Sequence, residues 1–329
     1  MMTTRRWTTV LSAAGLCLSL ALPGAAQSQT VLKFGHTNPE NHEFGHAAQV
    51  FKKTLEANTD GRYRIDLFPN SQLGGEREMV ESVQLGTLDM VLSTTGPLSN
   101  FVPEVGTTDI PFLFRDAAHA RQVFDGEIGQ DLIDKFRARG LYALAWSDQG
   151  FRHLSNNERA VRLPDDMKGL KIRTMENPVH IEAFKTLGVL ASPLSWPEVV
   201  PALQQGVVDG AEIPVTAMQS LKWWQMQRYV TLTSHVFSST LIIMSPKVHS
   251  ALSPEDQQAF LQAAREASAA QRRYVDERQA DALAQLKAEG MEIVETIDTA
   301  AFQKALEPAY DTFARKYGRD KIDAILNMN

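Results

Sequence analysis

Between residues 168 and 214 one structural unit occurs twice in succession, and this repetition leaves few folds open. Residues 170–173 read as a short strand that ends on Arg173. Asn177-Pro178 then opens a helix: asparagine is a good N-cap, and proline fits the first helical position, where its missing N–H is not needed. Val179, Ala183, Phe184 and Leu187 fall on one face at helical spacing. Gly188 closes that helix, and residues 189–191 form the next strand. A second helix runs from about Trp196, with Pro197 near its start and Gly206 near its end. Val207-Val208 begins a third strand, which finishes at Asp209-Gly210-Ala211-Glu212. A β-α-β-α-β run of this kind implies a parallel sheet with functional groups at the strand ends. Arg173 and Glu212 lie at such ends.

The same pattern is present upstream. Residues 31–36 form a strand ending in His36-Thr37-Asn38-Pro39. A helix follows from about residues 41–43, burying Ala47, Ala48, Phe51 and Leu55. Asp60-Gly61 is a turn, and Tyr63, Ile65 and Leu67 alternate along a strand at 62–68. Gly74-Gly75 opens another helix, with Met79, Val80 and Val83 inward. Residues 88–92 form a buried strand that runs into the small polar loop Ser93-Thr94-Thr95-Gly96. The strand ends of this half therefore carry His36, Thr37, Thr94 and Thr95. Two such halves predict an α/β chain of two lobes facing each other across a cleft.

The connections predict a hinge. A helical stretch at 117–139 leads to a strand at 141–146, and residues 151–154 cross to the second lobe with Arg152 near the crossing point. After a segment at 229–232, residues 235–244 form a long strand that returns to the first lobe. No Pro/Ser-rich or low-complexity stretch offers a tether, and crossings made by strands suit a hinge. Lobe I is expected to hold 27–151 plus 239–279, and lobe II 152–238 plus 280–329. Residues 254–289 carry the largest helix signal, capped by Ser253, begun by Pro254 and stopped by Gly290. At 1.5 Å per residue this reaches about 50 Å, which suits one kinked helix or two. Residues 291–294 form a short strand. Phe302, Leu306, Phe313 and Tyr317 mark a closing amphipathic helix, with a kink expected at Pro308.

The formal net charge of −6 argues against a nucleic-acid binder, since there is no basic excess to neutralise phosphates. A few arginines in a cleft are still enough to bind an anion. Arg5-Arg6, an apolar run over 10–22 and the small residues at 23–26 read as a signal peptide covering 1–26 and directing the chain to the periplasm. The apolar run is shorter than the roughly 18–20 residues that span a bilayer. Its loss takes the net charge to about −8, because Arg5 and Arg6 leave and no acid does. Cys17 is the single cysteine and lies in this segment behind Leu16, which is too large for a lipoprotein cleavage site. The mature chain then has no thiol or disulfide chemistry.

No catalytic constellation is present: no Gly-x-Ser-x-Gly, no His-Glu-x-x-His and no phosphate-cradling Gly-Lys loop. No cofactor is implied. His36, His42 and His46 are the one histidine cluster; His42 and His46 are four apart, but no carboxylate completes a metal site, and a polar helix face is the expectation. Arg152 and Arg173 are sharper signals. Each sits on or at the end of a strand, where a buried charge needs a partner. That partner is either an internal acid such as Glu212 or a ligand carboxylate, which the planar guanidinium meets with two parallel bonds. Trp196 opens a helix beside a strand end and serves either the core or a ligand. Glu176 and Asn177 follow Arg173 directly; Asn177 is also the natural N-cap. Trp223-Trp224 reads as packing.

A family resemblance rests on five segments in order: Phe68-Pro69-Asn70-Ser71-Gln72-Leu73-Gly74, Gly86-Thr87-Leu88-Asp89-Met90, Ile110-Pro111-Phe112-Leu113, residues 167–173 (MKGLKIR) and residues 202–210 (ALQQGVVDG). With these, nearly all of the mature chain resembles the dicarboxylate-binding (DctP) type of solute-binding protein from tripartite ATP-independent periplasmic (TRAP) transporters. The resemblance implies a two-lobed periplasmic-binding-protein, or Venus flytrap, architecture with hinge strands and a long C-terminal helix. It implies capture of a small organic anion (a dicarboxylate, sugar acid or other hydroxy or keto acid) without catalysis. Delivery would be to a permease of small and large membrane subunits, by a monomer with no nucleic-acid partner. It assigns Arg152 and Arg173 to the ligand, Arg173 as the carboxylate anchor, and sets the aromatic at Trp196 against it. Many members read Glu-Asn-Pro, with the Asn on the ligand, where this chain reads Glu212-Ile213-Pro214, so that contact falls to Glu212, to backbone, or is lost. Three other readings of the same chain are a ligand receptor for a sensor kinase, a secreted hydrolase or lyase, and a receptor for an ATP-driven importer.

Overall fold

The computed structural model describes residues 29–328; the expected signal peptide at 1–26 lies outside the described residues. Among the described residues nine strands form one continuous sheet: β1 (Thr30–Gly35), β2 (Tyr63–Phe68), β3 (Met90–Thr94), β4 (Tyr142–Asn156), β5 (Lys171–Thr174), β6 (Leu190–Pro193), β7 (Gly210–Pro214), β8 (Tyr229–Met244) and β9 (Glu292–Val294). Their order is β2-β1-β3-β8-β4-β7-β5-β6, with β9 added to β8. The strands of each expected β-α-β-α-β unit pair in parallel. The two units meet through β4 and β8, which run antiparallel to each other and to their outer neighbours.

These two long strands differ from the separate segments read in the sequence. β4 continues through Ser147-Asp148-Gln149-Gly150, a polar run that resembles a loop. It stays in the sheet because each polar group is met. Asp148 accepts from Arg121 Nε at 2.8 Å, Ser147 Oγ donates to the Ser268 carbonyl, and Gln149 Oε1 accepts from Ser238 Oγ at 3.1 Å. The pairing of β4 with β8 slips between Asp148 and Phe151 and again between Arg152 and Leu154. Gly150 lies in the first slip at φ +76°, a conformation that favours glycine, and a Cβ there would come within 3.3 Å of Val275. The crossing point is thus a bulged pair of strands shared by both lobes.

One helical expectation is refined and one is corrected. The stretch at 117–139 is two helices, Ala117–Asp125 and Glu127–Ala138, which meet at Gly126. The closing segment is three helices, Thr299–Ala305, Glu307–Tyr317 and Arg319–Leu326. Pro308 is the second residue of the second of these, in the first turn where its missing N–H is not needed, and so bends no helix. The alternatives at 254–289 resolve to one helix, Pro254–Ala288, of 35 residues. Its Phe260, Ala263, Ala264 and Ala267 pack in a core with Phe34, Phe51 and Leu55 of lobe I. Ala282 and Leu286 near its other end pack with Ile213 and Trp223 of lobe II. Among the described residues no helix is long and apolar enough to cross a membrane.

Candidate functional site

The carboxyl ends of β1, β3, β5 and β7 converge on a narrow cleft between the lobes, whose space, including the part open to solvent, is about 480 Å³. β5 delivers Arg173 to its wall. The backbone there is committed to the sheet, since Arg173 pairs with Ser192 on one side and Ala211 on the other. The side chain is 4 % exposed. Nε and Nη2 donate to the Leu194 carbonyl at 3.0 and 2.8 Å, and the guanidinium lies over the Trp196 ring at 5.5 Å. One edge of the fork is therefore held by the protein. Burial lowers its pKa to about 10, with Arg152 adding to the fall and Glu212 opposing it, so the group is a cation at neutral pH.

Arg152 projects from the bulged part of β4 and is already paired. Its Nε bonds the Glu212 carboxylate, Nη2 donates to the Glu212 carbonyl at 2.5 Å, and Nη1 donates to Ser238 Oγ at 3.1 Å. Glu212 is fully buried and also accepts from Met175 N at 3.3 Å, with His180 and His235 beside it at 3.4 and 3.7 Å. Burial alone would raise its carboxyl pKa; Arg152 and His180 outweigh that and hold it well below the usual carboxylate range. Removing one member of such a pair leaves an uncompensated buried charge.

Arg152, Arg173, Trp196, Glu176 and Thr94 line the cleft. The remaining expected residues stand behind its wall. Glu212 faces Arg152. Asn177 caps the Pro178–Thr186 helix, accepting from Val179 N at 2.7 Å, while its amide donates to Asp109 at 2.6 Å. Thr95 donates to the same Asp109 carboxylate at 2.6 Å. Thr37 Oγ1 lies 3.4 Å from Glu76. His36 is buried, and burial pulls its pKa down to about 4. His42 is not on a shared helix face with His46, because it precedes the helix Glu43–Asn58 and caps it through Nδ1 to Phe44 N at 3.2 Å. His46 packs instead against Tyr274. Among the described residues no three His, Cys, Asp or Glu side chains gather to hold a metal. Trp223 is buried in the core, its indole N–H on Ser155 Oγ at 2.8 Å.

Four polar lining residues escaped the sequence reading: Asn38, Glu76, Gln149 and Ser195. Glu76 opens the helix Glu76–Leu85 directly after Gly75. Its Oε2 accepts from Ser93 Oγ, Thr94 N and Thr94 Oγ1 at 2.8, 2.7 and 2.7 Å. The available signal was an acid in the first turn of a helix that opens toward the ends of β1 and β3. The apolar part of the wall comes from Pro97, Met175, Ile213, Pro214 and Ala217.

The lobes touch around this cleft. Asn100 Nδ2 donates to the Glu176 carbonyl at 2.6 Å, Arg77 lies 3.6 Å from the Glu176 carboxylate, and Thr94 Oγ1 lies 3.6 Å from Met175 Sδ. Gly96 admits this approach: a Cβ on it would sit 2.6 Å from Met175 Cε.

Residues 34–316 match the profile of the DctP family, described as bacterial extracellular solute-binding protein, family 7. The 2,3-diketo-L-gulonate-binding periplasmic protein of Escherichia coli is 36 % identical over 98 % of both chains. A TRAP periplasmic solute-binding protein from a Polaromonas species, crystallised bound to D-erythronate, is 48 % identical. That structure superposes with a TM-score of 0.90 over 92 % of this chain and 99 % of its own. A third, from Sulfurospirillum deleyianum with bound succinate, is 34 % identical with a TM-score of 0.87, covering 92 % of this chain and all of its own. With the paired β-α-β-α-β lobes, the bulged connecting strands and the arginine-bearing cleft in hand, these matches place the chain in the DctP family of TRAP-transporter periplasmic solute-binding proteins.

Proposed function

We propose that the protein captures a small organic carboxylate in the cleft, by an ion pair to Arg173 and closure of the lobes about β4 and β8, and hands it unchanged to a TRAP permease of small and large membrane subunits. The carrying observation is the state of Arg173. It is a buried cation whose Nε edge is held by the Leu194 carbonyl and whose side chain lines a cleft shared by both lobes. A buried charge set in this way needs an anionic partner, and the ligands of the relatives named above all carry a carboxylate on a short carbon chain. Trp196 fixes the guanidinium plane, and Thr94 and Glu76 face it from the other lobe. Met175, Glu176 and Asn100 then form the latch of the closed state.

In this reading residues 1–26 are removed on export, the protein works as a periplasmic monomer, and the lobes comprise 27–151 plus 239–279 and 152–238 plus 280–329. Calorimetry against short organic acids, combined with small-angle scattering, tests it. A binding acid should be recovered unchanged and should raise the melting temperature by mass action. It should also reduce the radius of gyration unless the free protein is already closed. Failure of every such acid to bind would overturn the proposal.

A further inference from the structure

Two of the expected site residues that stand behind the cleft wall share one acid. Asp109 ends the 3₁₀ turn Pro103–Asp109 and is 1 % exposed. Its Oδ1 accepts from Thr95 Oγ1 and its Oδ2 from Asn177 Nδ2, both at 2.6 Å. Thr95 and Asn177 are buried as well. Burial pushes the Asp109 carboxyl above the usual carboxylate range, and His180, the two donors and Arg152 oppose the rise. The hydrogen bonds that meet this carboxylate thus come from two neutral side chains, and a buried acid set in this way depends on keeping both.

The two donors come from opposite sides of the cleft. Thr95 directly follows Thr94, whose Oγ1 bonds Glu76 and lies against Met175. With Asp109 it falls in the proposed lobe I. Asn177 falls in lobe II, shortly after Arg173 at the end of β5. Its amide is held in one orientation, because Oδ1 accepts from Val179 N at 2.7 Å and His180 N at 3.4 Å, which directs Nδ2 at Asp109. Its backbone N–H donates to the Met175 carbonyl at 2.7 Å, so the helix cap is tied to the cleft wall at Met175 and Glu176. Capping the helix engages the asparagine oxygen alone; the bond from Nδ2 to Asp109 is additional and joins the lobes.

We propose that Asp109 is a positioning residue for ligand capture, an interlobe clasp that accepts from Asn177 when the lobes are closed and so holds the cleft shut over a ligand it does not touch. This rests on the capture by lobe closure proposed above. Rotation about β4 and β8 leaves the Thr95 bond intact, since both partners belong to lobe I, and parts Asp109 from Asn177. In the open form water takes the place of Nδ2 on the carboxylate. Closure expels that water and restores a charge-assisted bond in a dry setting, where such bonds are strongest.

Exchanging the two side chains tests the clasp. Wild type, Asp109→Asn, Asn177→Asp and the double variant are titrated calorimetrically with D-erythronate, succinate and D-galactonate. Asp109→Asn leaves one amide oxygen for two donors and is expected to weaken binding by about tenfold, by the same factor for every acid that binds, since Asp109 meets none of them. Asn177→Asp sets two carboxylates face to face and is expected to weaken binding at least as much. The double variant restores one acid and one amide across the seam, aspartate being as good an N-cap as asparagine, and is expected to recover affinity to within about threefold of wild type. In wild type, bound acid is expected to slow solvent exchange of the Asn177 side-chain amide protons, read by NMR. Wild-type affinity in folded Asp109→Asn, or a double variant that binds no better than the single ones, overturns the clasp while leaving capture standing. Equal amide exchange in free and bound wild type also overturns it, and decides the matter where a variant does not fold. If none of these acids binds wild type, capture itself fails and the clasp fails with it.

Discussion

Replacing Arg173 by alanine tests the centre of the site, and the structure allows its two effects to be separated. The guanidinium gives one edge to the Leu194 carbonyl through Nε and Nη2, which leaves the Nη1 side of the fork for a ligand. Charge-assisted hydrogen bonds contribute roughly 1.5–3 kcal/mol each, and truncating one partner of a buried charge pair costs about 2–5 kcal/mol. At about 1.4 kcal/mol per tenfold, Arg173→Ala should weaken ligand binding by about 30-fold at the least. The structural effect is distinct: the half-buried Leu194 carbonyl loses its donors and Trp196 loses its stacked cation, a destabilisation of about 1 kcal/mol. Arg173→Lys should preserve more of the fold yet bind poorly, because a single ammonium cannot hold Leu194 and grip a carboxylate together. The assay is calorimetry with the tightest-binding acid, run on protein shown by circular dichroism to be folded. Wild-type affinity in folded Arg173→Ala would refute the assignment and leave this arginine as a clamp on the loop at Leu194.

Other consequences can be checked in the same way. Glu212→Gln strands the Arg152 charge in the interior and should destabilise the ligand-free protein by about 3–5 kcal/mol in urea unfolding; a change under 1 kcal/mol would mean the pair is not needed for folding. Glu43 is buried between Gln149 and Thr216, and burial raises its pKa to about 7. The folded protein therefore holds a proton that the unfolded chain has released between about pH 4.5 and 7, so this group lowers stability as pH rises through that window, by up to about 3 kcal/mol. Burial depresses His36, His42 and His153 to about 4, 3 and 3, so their contribution has the opposite sign and stability is lost as pH falls below about 6.5. Glu43→Gln should then steepen the rise of stability with pH between 4.5 and 7; an unaltered slope in denaturant melts at several pH values would contradict the raised pKa. Protein recovered from the periplasm should begin near Gln27 by intact-mass measurement, and retention of residues 1–26 would exclude the proposed export.

Much of the fold was legible because its cause is local. Asn177-Pro178, Gly188 and the apolar spacing between them specify a capped helix whatever lies around it, and the helix is found at Pro178–Thr186. The alternation at 62–68 and the glycine pair before Glu76 are local in the same sense. Strand ends could therefore be listed from the chain alone, and with them Arg173, Trp196 and Thr94 as residues near one rim. The gap between the strand segments read at 141–146 and 151–154 has a physical cause. Strands are recognised by apolar alternation, whereas Ser147–Gly150 are kept in β4 by partners from Arg121 to Ser268 that no local pattern reveals.

By itself the amino-acid sequence determined the class of molecule: two β-α-β-α-β units, strand crossings in place of a tether, and arginines without local counter-ions. Tertiary structure alone decided how those charges are shared. The antiparallel pairing of β4 with β7 sets Arg152 opposite Pro214 and Leu154 opposite Glu212, which binds Arg152 to an acid sixty residues away and leaves Arg173 with its charge open to the cleft. The same packing brings Glu76 and Asn38 into one cleft with Arg173 and sets Asn177 and Thr95 on Asp109. Periodicity is a property of neighbours along the chain, and it encodes elements. Compensation of a buried charge depends on which elements meet, and it is this that separates Arg152, paired with Glu212, from Arg173, which donates to the Leu194 carbonyl.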